Sequence, residues 1–354
     1  MLIAGIDAGA SRTRCKIFCR DGKSVIRQEG PGANLQDRGV KETASIIGDL
    51  LEKALHQLGA GGEKKEAREE QDPAWLLTGV GIGIAGCREE SDRFEIKKRL
   101  VSRFPGLPDP AITDDGRTAC LSAWAGEPGL VAVCGTGSII YALDDRGSFH
   151  RNGGYGPLLG DEAGACRLVL AALRQSLKIW DTRREREELD RLLQELELEN
   201  IDDLIKFVYQ KPLPRQELAS AAPLLLRETA RGDETWRALV QREIDELAEK
   251  IVALAFRIPL THNRIALAGG LTSSHFFLEI LVKALKKQKR YYFEKFKITE
   301  LDNACGAAVY ALLKARKQGS LEKQVLEDFL AKLKGRGIFF DIEENIEGDI
   351  EGRS

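Results

Sequence analysis

Apolar residues run without interruption through "LIAGID", residues 2–7, and an aspartate closes the run. A short continuous apolar run of this kind reads as a buried strand. Small residues follow, and then Cys15, Ile17 and Cys19 alternate with Arg14, Lys16 and Arg20, the period of a half-buried strand. "DGK" at 21–23 is a hairpin turn and "SVIRQEG" a third strand, so the chain opens as an antiparallel meander. Helical spacing holds over 39–58, and the glycine-rich, then charged segment 59–73 reads as an exposed loop. "WLLTGVGIGIAG", 75–86, is a buried strand ending in small residues. "SDRFEIKKRLVSRF" is a helix with Ser91 as N-cap, "DPAITDD" a short strand ending in aspartates, and "GRTACLSAWAG" a helix of small residues.

The pattern then restarts. Residues 129–148, "GLVAVCGTGSIIYALDDRGS", repeat the order strand, small-residue turn, strand, turn, and can be laid over residues 1–24. Two copies of one unit predict a duplicated two-domain protein. Long helices follow, in "DEAGACRLVLAALRQSL", "TRREREELDRLLQELEL" and the segment from Pro223 to Ile258. A strand "RIALAGGL", 264–271, ends in paired glycines, and "DNACGAAVYALLKARKQG" is another small-residue helix. The expected division is 1–117, then 118–316 with a helical insertion, then 317–354 as a helix and acidic tail packing back on either domain.

Small-residue turns after strands bring backbone close to phosphate. "DAGASRTR" does not fit the dinucleotide glycine pattern, and the P-loop pattern is absent; a strand, not a helix, comes next. What remains is a hairpin whose amides, with Ser11 and Thr13, can wrap phosphate oxygens, while Asp7 holds a magnesium ion through water. The competing reading is a tight hairpin with the aspartate capping its own turn. The second copy offers Gly135, Thr136, Gly137 and Ser138 without an aspartate. Of the adjacent carboxylates Asp114 and Asp115, only one can point into a cleft from an extended segment.

Composition removes other classes. Among 354 residues, 53 Lys and Arg offset 55 Asp and Glu, so no global charge draws the chain to nucleic acid or to a membrane surface. No apolar run approaches the ~20 residues of a membrane span, and the opening residues carry no basic leader, so the cytoplasm is the expected compartment. The seven cysteines are scattered and lack zinc spacing, which predicts reduced thiols.

Two phosphate hairpins and a late strand with paired glycines, in this order, resemble the actin, Hsp70 and sugar-kinase superfamily. "NGGYGPLLGDEAGACRLVLAAL", 152–173, is similar to the Gly-Asp-Glu stretch of N-acetylglucosamine kinases, shared with the BadF/BadG/BcrA/BcrD ATPases. The resemblance runs from residue 1 to about 316. It implies an α/β protein of two duplicated ribonuclease H-like domains with a nucleotide cleft between them, using ATP and magnesium to phosphorylate an amino sugar at its 6-hydroxyl. It assigns nucleotide contacts to Asp7, Gly9, Ala10, Ser11, Arg12, Thr13, Gly135, Thr136, Gly137, Ser138, Gly269, Gly270 and Leu271, with Asp7 also on the metal. Sugar contacts fall to Asn34, Gly86, Asp114, Thr136, Tyr155 and Asp161. Asp114 is the base by the family pattern, with Asp115 left to cap the following helix. Tyr155 stands where the kinases usually carry Trp. A homodimer is implied, with a small-molecule sugar as the partner.

A rival in the same family is an ATPase that activates a partner enzyme, in which cysteines hold an iron–sulfur cluster; Cys134 and Cys166 invite that comparison. A third reading is a non-catalytic ATP-dependent regulator, against which the Gly-Asp-Glu stretch and the cleft aspartate argue.

Overall fold

The structure, a computed structural model, describes residues 1–10, 12–60, 76–288, 291–298 and 302–334. The chain divides into two compact units: 1–128 together with 301–338, and 129–300. In the first unit, β1 (Leu2–Ala8), β2 (Arg12–Cys19) and β3 (Ser24–Pro31) form the antiparallel meander. The chain continues through α1 (Leu35–Ala60), β4 (Gly79–Ile84), α2 (Glu90–Arg103) and β5 (Ala111–Asp114). β4 pairs parallel to β1, and β5 parallel to β4. The sheet order is β3-β2-β1-β4-β5.

The second unit repeats this plan. β6 (Gly129–Cys134), β7 (Ser138–Leu143) and β8 (Phe149–Gly153) are its meander. β9 (Arg264–Ala268) lies parallel to β6, and β10 (Lys295–Ile298) parallel to β9. The order β10-β9-β6-β7-β8 is that of the first sheet strand for strand, so the duplication read at two turns extends to whole sheets. β1, β4, β6 and β9 are almost wholly buried, which is why they read as continuous apolar runs.

The helical part lies between β8 and β9: α4 (Ala165–Arg183), α5 (Glu187–Glu195), α6 (Ile201–Val208), α7 (Arg215–Ser220), α8 (Ala222–Ala230) and α9 (Glu234–Arg257). The expected single stretch from 223 to 258 breaks at Gly232, φ 107°, and Asp233 caps the new helix by accepting the Trp236 amide at 3.0 Å. The Ser91 cap is also corrected: Glu89 occupies the N-cap position and α2 begins one residue later, so Ser91 lies inside the helix.

The expected domain limits shift for a packing reason. α3 (Asp115–Trp124) stays with the first unit, so the boundary falls after Pro128 rather than at 117. α11 (Asn303–Lys317), expected to close the second domain, packs instead on β1, β4 and α3. There backbone meets backbone. A Cβ on Gly5 would stand 1.9 Å from the Ala304 carbonyl oxygen, and one on Gly81 1.8 Å from that of Ala307. α12 (Lys323–Lys334) returns to the same unit, with Phe329 edge-on to Phe18 at 6.3 Å between ring centres. The exposed loop expected at 59–73 falls almost entirely outside the described residues, as does the acidic tail. α10 (His275–Lys287) completes the second unit.

Candidate active site

In the first unit, β1 delivers Asp7 to the end of the sheet, opposite Arg14 in the β1–β2 ladder. The carboxyl is buried, and burial pushes it up to about 6, against the opposing pull of Arg14 and of a hydrogen bond from Asn303. The hairpin closes tightly, with the Gly9 amide donating to the Arg12 carbonyl at 3.1 Å and the Gly9 carbonyl accepting from Ala33 at 2.9 Å. Ala10 and Arg12 are exposed there, and Ser11 lies outside the described residues. Thr13 departs from expectation. It is fully buried in β2 and its hydroxyl donates to the Pro31 carbonyl at 2.7 Å, so it pins β2 to β3. Asn34 and Gly86 do come together: a Cβ on Gly86 would stand 2.7 Å from Asn34 Oδ1, which accepts the Gln36 amide at 2.9 Å.

The two neighbouring aspartates exchange their expected structural roles. Asp114, not Asp115, is the N-cap of α3: its Oδ1 accepts the Arg117 amide at 3.0 Å, and its Oδ2 lies 3.2 Å from Arg117 Nε. The reason is backbone geometry. Asp114 ends β5 in extended conformation, so its side chain can reach back over the first turn, whereas Asp115 is already helical. Burial pushes the Asp115 carboxyl up to about 6, reinforced by the charges of Asp114 and Asp7.

Among the described residues no three His, Cys, Asp or Glu side chains converge as a metal-binding group. Asp7 nevertheless sits in surroundings that suit a hydrated cation. Asn303, which donates to Asp7, has a buried Oδ1 with no hydrogen-bond partner. An acceptor oxygen left bare beside a carboxyl driven toward its neutral form is relieved by positive charge. Asp302, next along the chain, is already paired with Lys16 at 2.6 Å.

The second unit assembles its site around the 135–138 turn. The Gly135 amide donates to the Gly137 carbonyl at 2.9 Å. The turn carbonyls of Gly135 and Thr136 accept the first amides of α4, from Ala165 and Cys166, both at 2.9 Å. No described backbone carbonyl receives the Thr136 or Gly137 amide, which suits an anion. Ser138 differs from expectation: it is buried and its hydroxyl donates to the Glu162 carbonyl at 2.6 Å. The paired-glycine turn lies beside this one, since a Cβ on Gly269 (φ 102°) would stand 2.3 Å from the Cys134 carbonyl oxygen. Around Gly270 the space is open, and Leu271 is buried beneath. Cys134 and Cys166 are buried free thiols, which burial raises to about 12 and about 11.

Asp161 belongs to the same group. A Cβ on Gly137 would stand 2.3 Å from its Oδ2, so only glycine fits that position. Asp161 is buried in left-handed backbone, φ 59°, its Oδ1 accepting the Gly156 amide at 3.0 Å and its Oδ2 the Arg215 guanidinium at 3.2 Å. Burial raises its carboxyl above the ordinary range. A non-glycine residue held in such backbone is a mark of a constrained, functional position. Tyr155, on the same loop, is half exposed, with Arg151 and Lys250 near its ring at 5.5 and 6.0 Å. The loop is tied down by Arg167, which reaches the Gly160 carbonyl (3.1 Å), Glu162 (3.3 Å), Glu243 (2.6 Å) and Glu246 (2.9 Å); Lys250 joins Glu162 at 2.6 Å.

Asn303, Arg215 and Arg167 are the site residues that sequence reasoning missed. Asn303 and Arg215 lie far along the chain from the aspartates they contact, Asp7 and Asp161. Only Arg167 carried a signal, as the one cation in an otherwise apolar stretch after the Gly-Asp-Glu segment.

The N-acetylmuramic acid/N-acetylglucosamine kinase of Clostridium acetobutylicum is 24% identical over 314 residues, covering 87% of this chain and 97% of its own length. The N-acetyl-D-glucosamine kinase of Dictyostelium discoideum is 25% identical over 319 residues, covering 88% and 98%. A solved structure from Chromobacterium violaceum, assigned as an N-acetylglucosamine kinase, superposes with a TM-score of 0.66 at 24% identity over 87% of this chain and 98% of that one, and so shares the fold. Residues 4–311 match the BadF/BadG/BcrA/BcrD ATPase family, and the chain belongs to that family.

Proposed function

We propose that this protein transfers the γ-phosphoryl group of ATP to the 6-hydroxyl of an amino sugar of the N-acetylglucosamine or glucosamine type. The observation that carries the chemistry is the pair Asp7, near the end of β1, and Asp115, the first residue of α3, whose carboxyls burial pushes up to about 6. A proton acceptor works best when its pKa lies near the working pH, and phosphoryl transfer otherwise asks for positioning and charge neutralisation. The kinase relatives support the sugar class.

Roles divide by unit. In the second, the 135–138 turn receives phosphate through the Thr136 and Gly137 amides, Gly269–Leu271 receive adenosine, and Asp161 reads sugar hydroxyls, with Tyr155 and Thr136 near it. In the first, Asn34 and Gly86 contribute to the sugar and the exposed Arg12 faces phosphate. Asp7, with Asn303 Oδ1, holds magnesium, which when bound offsets charge on the phosphate oxygens. The proton acceptor lies in the Asp114–Asp115 pair. Capping engages Asp114, which favours Asp115. A homodimer is proposed from the family resemblance alone, and the cytoplasm remains the expected compartment.

The test is ADP release with and without N-acetylglucosamine or glucosamine. Sugar-dependent release supports the kinase; equal hydrolysis without sugar replaces it with the partner-activating ATPase. Within that assay Asp115→Asn is expected to lose roughly 10²–10⁴-fold in kcat, and Asp114→Asn to act chiefly on thermal stability through the lost cap. The reverse outcome returns the base to Asp114.

A further inference from the structure

Neither the sequence pattern nor the family resemblance gives a role to Arg215, a charged group of the second unit beside Asp161. It opens α7 directly after Pro214. Its Nη2 lies 3.2 Å from Asp161 Oδ2, and the same nitrogen would stand 3.3 Å from a Cβ on Gly137. The guanidinium is therefore seated against the bare backbone of the 135–138 turn, at the point where the Thr136 and Gly137 amides lack described carbonyl partners. Its side chain is 47% exposed while that of Asp161 is 4%. The bond to Asp161 occupies one edge of a group that carries five N–H donors, and the fork geometry matches phosphate oxygens.

Charge explains why a cation belongs there. A phosphate approaching the turn meets the buried Asp161 carboxylate, and like charges at close range repel strongly where water is scarce. A guanidinium shared between the two neutralises both. In phosphoryl transfer negative charge spreads over the equatorial oxygens, where arginine is effective.

We propose that Arg215 is a catalytic residue that binds the transferring phosphoryl group while remaining paired with Asp161. The inference rests on the kinase reading above. As the sugar oxygen bonds to the γ-phosphorus, the bond to the β–γ bridging oxygen breaks and its electron pair leaves with ADP; the hydroxyl proton goes to the aspartate base. Arg215 holds the non-bridging oxygens throughout and exchanges no proton.

Arg215→Ala and the bulkier Arg215→Gln are to be compared with the parent full-length chain. The expected loss is about 100-fold or more in kcat, with the KM for N-acetylglucosamine within about threefold and activity partly restored by added guanidinium. By calorimetry, affinity for Mg–AMPPNP should fall about tenfold or more while that for Mg–ADP stays within about twofold, because only the former presents a third phosphate. An unchanged kcat with a raised sugar KM would overturn the proposal, leaving Arg215 as a prop for Asp161; so would equal loss of both nucleotides. If the parent chain turns over no amino sugar yet the variants weaken AMPPNP selectively, the phosphate contact stands and the kinase reading falls.

Discussion

A carboxyl that titrates near 6 in the folded chain and at its ordinary 3.8 in the unfolded one opposes folding at neutral pH. The folded form of Asp7 binds the proton more tightly. Its contribution is therefore complete below about 3.8 and is lost as pH rises through about 6. Asp115 has the same sign and the same window. Asp7→Asn should accordingly raise the melting temperature at pH 7.5, with a gain that shrinks toward nothing at pH 4, while abolishing magnesium-dependent turnover. Thermal unfolding across that pH range is the measurement, and equal destabilisation at both ends would refute the assignment. Such a trade of stability for function is expected where like charges are gathered for chemistry. The positions of Asp7, Asp114, Asp115 and Asp161 could be read from the sequence because each follows a recognisable strand or turn. Which of two adjacent aspartates caps α3 could not, since a cap depends on one residue's backbone angles.

At the scale of elements, the Gly-Asp-Glu loop is held by α4 and α9 through the Arg167 guanidinium, with Lys250 of α9 also on Glu162. Glu243 and Glu162 are almost wholly buried, and Arg167 contacts both. Removing one partner of a buried pair strands the other, at a cost of ~3–5 kcal/mol. Arg167→Ala should therefore lower stability by about that amount, and Glu243→Gln introduced with it should recover part of the loss. Chemical denaturation of the single and double variants checks this; additive losses would mean that the pair is not coupled. The buried strands β1, β4, β6 and β9 were legible because they make continuous apolar runs, whereas the edge strands β8 and β10, with polar residues in short segments, were not. The break at Gly232 and the truncation of "TRREREELDRLLQELEL" to α5 were not legible either, because the buried faces of α5 and α9 carry the helical period while the charged residues beside them leave the helix ends unmarked.

For the whole molecule, the repeat of strand order across the two sheets shows how far the duplication goes, and α11 shows where it is uneven. The first sheet is covered by a helix encoded about 190 residues after β5. Its glycines at 5 and 81 present bare backbone that Ala304 and Ala307 occupy. A fragment of residues 1–128 should thus fail to give a dispersed amide spectrum, while the same fragment joined by a flexible linker to 302–334 should give one. A well-folded 1–128 alone would refute this. During synthesis, the ribosome adds ~5–20 residues per second, so the first unit, begun by residues 1–128, waits on the order of 10–40 s for its last layer. In that interval the second unit, whose described residues end at 298, emerges and can fold. The unit made first is then the unit finished last, and a chaperone would meet it as an open sheet with a strip of exposed glycine.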